Sequence, residues 1–261
     1  MDSSQRPLEK LVDIVAQLRG PDGCPWDKEQ TLQSMRPYLL EEVYELLDAM
    51  EHDAGADGLE GELGDTLFVV LLLVEIATKS GNLSLDSVCT RIVEKMITRH
   101  PHVFANADEG DNPGGIVAWE ARKKKAGRSR LAGVPRTLPA LLRAHRQAEK
   151  AASIGFDWSS LEAVFEKVDE ELGELKQAIE TQDAHQIEHE VGDLLMSVAN
   201  VARHLHTPPE AALRRANDRF AERFAVLERL AVEEGVVLSG STDDAVLNDL
   251  WERAKALEGT C

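Results

Sequence analysis

LLEEVYELLD, Leu39–Asp48, sets three glutamates within five positions of a segment that otherwise reads as the apolar seam of a helix. At 3.6 residues per turn, Glu41, Glu42 and Glu45 share one face, and Leu39, Val43, Leu46 and Met50 occupy the opposite one. The same E-E-x-x-E spacing returns in VDEELGELKQ, Val168–Gln177, as Glu170, Glu171 and Glu174. A cluster that occurs twice in 261 residues points to a duplicated unit.

The surroundings repeat in the same order. Glu62 and Asp65 answer to Glu190 and Asp193, Lys95 and Arg99 to Arg219 and Arg223, and Trp119 and Lys123 to Trp251 and Lys255. These correspondences divide the chain into a first copy over 1–125, a linker over 126–137 and a second copy over 138–261. Helical periodicity is expected over 7–19, 31–51, 59–79 and 84–99, interrupted by RGPDGCPWD and HDAGADG. NADEGDNPGG reads as a loop and AWEARKKKAGRSR as a basic helix. In the second half LPALLRAHRQAEKAA, SLEAVFEKVDEELGELKQAIE, QIEHEVGDLLMSVANVARHL, PPEAALRRANDRFAERFAVLERL and DDAVLNDLWERAKAL read as helices.

Composition supports an all-α fold. Hydrophobic residues make up 43% of the chain but aromatics only 5%, and Ala, Leu, Glu and Arg are favoured over β-branched residues. A net charge of −18 argues against nucleic acid or an anionic membrane as the main partner, since both select clustered Lys and Arg. Cys24, Cys89 and Cys261 are widely spaced and form no C-x-x-C pair, which suits a reducing cytoplasm. The N-terminus has no basic stretch followed by an apolar one, so no secretory signal is expected. TLFVVLLLVEIA is too short for a membrane span and contains Glu75, so it reads as a buried helix.

Glu62 and Asp65 lie three apart on a face that continues through Val69, Leu72 and Ile76, so they point towards packing partners. Carboxylates on such a stripe cost several kcal/mol if buried and unpaired. A hard divalent cation compensates them: Mg²⁺ takes oxygen ligands and leaves positions for water and phosphate. Oxygen-only ligation favours Mg²⁺ or Mn²⁺ over zinc. No Glu has His three positions later, as a di-iron bundle requires, and a P-loop, an EF-hand loop and a G-x-G-x-x-G fingerprint are missing. No paired ligand spacing marks the eight His residues, which read as surface or structural.

EEVYE then ELGD, and EELGE then EVGD, resemble the E-E-x-x-E and E-x-x-D motifs of the MazG family of nucleoside triphosphate pyrophosphohydrolases. GCPWDKEQT, RHPHVF, GFDW and NDRFAERF also resemble tandem MazG proteins. The resemblance implies two tandem four-helix units that dimerise through helical bundles, and hydrolysis of (d)NTP to (d)NMP and pyrophosphate by a metal-activated water. It implies Mg²⁺, with Mn²⁺ as a substitute, held by Glu170, Glu171, Glu174, Glu190 and Asp193, and in the first copy by Glu41, Glu42, Glu45, Glu62 and Asp65. Glu171, Glu174, Glu190 and Asp193 form the expected catalytic set.

Phosphoanhydride hydrolysis also needs positive side chains on the phosphates. Arg219 and Arg223, four apart on one helical face, are candidates, joined by Lys255 and, in the first copy, by Lys95 and Arg99. Trp119 and Trp251 either stack on a base or cap the core. The copies differ around their acids. Lys167 stands where the first copy has Tyr38, Asn217 where it has Val93, and Ser197, Asn200 and His204 where it has Val69, Leu72 and Ile76. A polar, basic rim suits a triphosphate and an apolar one suits packing or a dimer seam, so the second copy is the expected catalytic one; tandem MazG proteins are likewise regarded as active through it. Lys167, Asn200, Asn217, Arg219, Arg223, Trp251 and Lys255 are its expected substrate-binding residues. The alternatives are a dUTPase-like or phosphoribosyl-ATP pyrophosphohydrolase, and a non-catalytic module sensing a divalent cation or nucleotide.

Overall fold

Eleven helices and no strand are found among the described residues of the computed structural model, which are 6–52, 55–81, 83–104 and 129–258. They are α1 (Pro7–Leu18), α2 (Pro25–Glu29), α3 (Arg36–Glu51), α4 (Gly55–Lys79), α5 (Leu85–Arg99) and α6 (Pro101–Phe104), then α7 (Ala140–Ala152), α8 (Leu161–Thr181), α9 (Ala184–His204), α10 (Pro209–Glu233) and α11 (Asp244–Glu258). The chain divides into two compact units, Met1–Gly115 and Ile116–Cys261. The loop expected over 106–115 and the basic helix expected over 118–130, with Trp119 and Lys123, lie outside the described residues up to 128, as does Cys261, while Ser129 and Arg130 are not helical. None of the helices among the described residues is long and apolar enough to cross a membrane.

In the first unit α3 and α4 pack side by side, and α1 lies against α4. Val15, Met35, Val69, Leu71, Leu72 and Ile76 form the core, sealed by Leu11, Leu39, Phe68 and Leu85. The helix expected from residue 31 starts at Arg36 instead. Thr31 and Ser34 exchange side chain to backbone hydrogen bonds of 2.9 and 3.1 Å, a local turn that competes with the helix, and Pro37 then opens the first helical turn.

In the second unit α8 and α9 form a tight antiparallel pair. Gln182 closes α8 in the left-handed conformation (φ 57°), and the Asp183 carboxylate caps α9 by accepting from the His185 and Gln186 N–H groups. This short turn fixes which faces of α8 and α9 meet. α7 packs on α9, while α10 and α11 form a hairpin with its own core of Leu227, Leu230, Ala231, Leu250 and Ala254.

One expectation about faces is corrected. Val43 and Met50 are exposed, and the inward line of α3 runs through Leu39, Glu42, Leu46 and Ala49. Glu42 therefore faces the core instead of pointing away from it. α8 repeats this line as Val168, Glu171, Leu175 and Ala178, with Glu171 only 5% exposed. Phe165, Leu172 and Ile179 on the far side of α8 are exposed like Val43 and Met50 on α3, so the acid-bearing face is the one that packs.

Candidate active site

α8 and α9 bring carboxylates together because their glutamates lie at similar distances on either side of the 182–183 turn. Glu171, Glu174 and Glu190 each place an oxygen within 4.8 Å of the others, and Glu190 and Asp193 form a second group with His189. In the first unit the corresponding helices gather Glu42, Glu62 and Asp65. Glu41, Glu45 and Glu170 fall outside these groups.

The electrostatics of the two clusters are alike in cause. Burial, then the charges of Glu171 and Glu190, raise the Glu174 carboxyl above its ordinary value. Burial, then the charges of Asp65, Glu45 and Glu62, do the same to Glu42. What differs is the cation. Lys167 Nζ lies 2.9 Å from Glu170 Oε1 and 2.8 Å from Glu171 Oε1, and hydrogen bonds to Glu171 and Glu170 push its pKa up. The second Glu171 oxygen, Oε2, is buried and has no hydrogen-bond partner among the described residues. An ionised oxygen left so would be destabilising, and two more carboxylates crowd beside it. This donor set fits a hard divalent cation.

His189 is a ligand-type residue that the spacing did not single out. Its Nδ1 is 3.1 Å from Asp193 Oδ2 and 3.6 Å from Glu190 Oε1. The signal was present as an i, i+4 pair, although His189 itself is exposed.

Apart from Lys167, the basic candidates are carried by helices other than those of the acids. Arg219 and Asn217 are exposed on α10, Arg223 is half-buried there, and Lys255 on α11 pairs with Glu252. Arg219 makes no ion pair among the described residues. Trp251 packs on the hairpin core and against Phe220, with ring centroids 5.4 Å apart. Lys95 is exposed and Arg99 half-buried on α5. Asn200 is almost wholly buried, and both ends of its amide are engaged within the protein.

The model of the MazG nucleotide pyrophosphohydrolase domain matches residues 30–104 and 159–224, which carry both acidic clusters. The chain belongs to the MazG family. The nucleoside triphosphate pyrophosphohydrolase of Escherichia coli K12 is 40% identical over 96% of this chain and 98% of its own. The nucleoside triphosphate pyrophosphohydrolase/pyrophosphatase MazG of Thermotoga maritima is 42% identical over 97% of each. An uncharacterized protein of Bacillus subtilis, YabN, is 43% identical over 94% of this chain but only 51% of its own length. The two matched MazG segments span α3 to α6 and most of α8 to α10, so each acidic cluster sits within one segment.

Proposed function

We propose that this MazG chain, whose relatives are named nucleoside triphosphate pyrophosphohydrolases, hydrolyses nucleoside triphosphates to nucleoside monophosphate and pyrophosphate, and that the second copy is the working one. The observation that carries the placement is the buried Glu171 Oε2, without a hydrogen-bond partner among the described residues, beside Glu174 and Glu190. Mg²⁺, with Mn²⁺ as substitute, would be held by Glu171, Glu174, Glu190 and Asp193, with Glu170 at the rim. When bound, it neutralises charge on the phosphate oxygens and lowers the pKa of an attacking water.

The chain's own groups do the rest. Glu174, which lies with Glu171 and Glu190 in one carboxylate group, would help to hold the ion and orient the attacking water. Lys167 balances Glu170 and Glu171 and can turn to an incoming phosphate, since three donors sit on a flexible stem. Arg219, Arg223 and Lys255 clamp the phosphates, while Asn217, Asn200 and Trp251 contact the nucleoside. In the first copy, Glu41, Glu42, Glu45, Glu62 and Asp65 form a second metal position, flanked by Lys95 and Arg99. The copies span 1–125 and 138–261 about a linker at 126–137, and the cytoplasm is the proposed compartment.

A homodimer is part of this reading. Leu63, Leu67 and Val70 form an exposed stripe on α4, and Val191, Leu195 and Val198 form the same stripe on α9. Large apolar stripes repeated at equivalent places need a cover. Sedimentation at micromolar concentration is expected to give twice the chain mass of 28.8 kDa; a monomer would contradict the dimer.

The function is tested by incubating the protein with each common NTP and dNTP plus Mg²⁺ and resolving the products. NMP with pyrophosphate is expected. NDP with phosphate would refute the reaction, and bound but intact nucleotides would favour a sensor.

A further inference from the structure

Beyond the acids, α9 carries a line of polar groups that hydrolysis does not require. Ser197 and Asn200 are 6% and 2% exposed, and the buried residues at these places on α4 are Val69 and Leu72. Asn200 Nδ2 donates to the Met196 carbonyl at 3.1 Å, and its Oδ1 accepts from Arg203 Nε at 3.2 Å. Arg203 in turn grips Asp157 of the α7–α8 loop: Nη1 donates to Oδ2 at 3.0 Å and Nη2 donates to Oδ1. Asp157 Oδ1 also accepts from the Trp158 N–H at 2.9 Å and lies 3.2 Å from His204 Nε2. Where the second copy has Arg203, the first has Glu75, paired with Lys79 on its own helix.

Burying such a network is unfavourable relative to an apolar seam of the same shape, and the first copy shows that the fold accepts the apolar seam. What the network adds is a fixed amide. A primary amide offers two N–H donors and two acceptor lone pairs, and its ends interchange unless neighbours fix them. Here one N–H and one lone pair are taken, which determines where the other of each points. That is the requirement for reading the donor and acceptor pattern of a base edge. Asn200 lies seven residues beyond Asp193, about 10 Å along the helix, roughly the reach from phosphate to base. Ser197 stands between them on the same face and makes no hydrogen bond among the described residues.

We infer that Arg203 and Asp157 are positioning residues: they lock the Asn200 amide so that it discriminates the base of a triphosphate whose phosphates lie at the acids. This rests on the catalytic site lying in the second copy. Asn200 touches the base, Arg203 acts through Asn200, and Asp157 acts through Arg203.

The test is kcat and KM for all eight common NTPs and dNTPs in the wild type, Asn200→Ala, Arg203→Met and the double variant. Arg203→Met is expected to compress the ratio of best to worst kcat/KM by about 3- to 10-fold, the worth of one hydrogen bond. The change is expected in KM more than kcat, because a base contact is made equally in ground and transition state. In the Asn200→Ala background, Arg203→Met should alter the ratio no further. Asp157→Asn, which keeps the shape, should act in the same direction and supplies the readout if Arg203→Met fails to fold. Equal loss on every base, additive effects in the double variant, or a wild type without base preference would overturn the positioning role. Turnover surviving in Glu174→Ala would instead overturn the placement of the site.

Discussion

α4 and α9 are the same helix written twice, and they differ where it matters. Both carry E-x-x-D, both pack against an E-E-x-x-E helix, and both leave the same outer stripe exposed. Past the acids, α4 continues inward with Val69, Leu72 and Ile76, whereas α9 places Ser197, Asn200 and the half-buried His204 there. The first sequence builds an apolar core there and the second a buried line of polar groups. Duplication lets one copy keep the scaffold while the other departs from the apolar pattern, because local helix formation depends little on which of these side chains stands at an inward position.

The largest effect separates the two E-E-x-x-E motifs. Glu174 belongs to its carboxylate group and Glu45, its counterpart, does not. Glu174→Ala is expected to lower kcat roughly 10²- to 10³-fold, the several kcal/mol that a catalytic metal supplies, while Glu45→Ala largely spares it. Comparable losses in steady-state assays of the two variants would erase the distinction between the copies.

The exchange of inward residues separates the copies in stability. Leu72→Asn buries an amide where no arginine waits, and is expected to destabilise by about 3–5 kcal/mol. Asn200→Leu, which fills a place already shaped for such a side chain, should change stability by less than about 2 kcal/mol. Denaturant unfolding of both variants checks this, and a larger loss from Asn200→Leu would make its network a structural necessity instead.

The smallest effect is thermal. Glu174 and Glu42 have raised pKa values, so the folded metal-free protein holds these protons to higher pH than the unfolded chain. Stability therefore falls as pH rises from the ordinary glutamate value through the raised ones. A divalent cation relieves that penalty only above the window. Mg²⁺ at a hundredfold excess over its Kd should stabilise by about 2.7 kcal/mol at pH 7.5, with the gain fading towards pH 4. Scanning calorimetry with Glu171→Gln and Glu42→Gln would show which copy contributes; an Mg²⁺ response indifferent to both changes would remove the ion from these clusters.

Much of this is legible in the sequence. The helices of the second half follow the periodicity closely, because Ser160 and Asp183 cap locally and Gln182 turns locally. The start of α3 was misplaced because the Thr31–Ser34 turn outcompetes helix there. His189 stands four residues before Asp193 in the sequence, but an exposed histidine carries no periodic signal that would single it out.

By itself, then, the sequence determined the all-α class, the duplication and the carboxylates that gather, all of which depend on spacing along one helix or on recurrence. Tertiary structure decided which glutamate of each trio turns inward. Three residues within about one turn have nearly equal claims until the partner helix arrives, and the contact with α9 selects Glu171 as the contact with α4 selects Glu42. It alone also joined Arg203 to Asp157, 46 positions apart, because a side-chain pair across that separation exists only once packing has closed the loop between them.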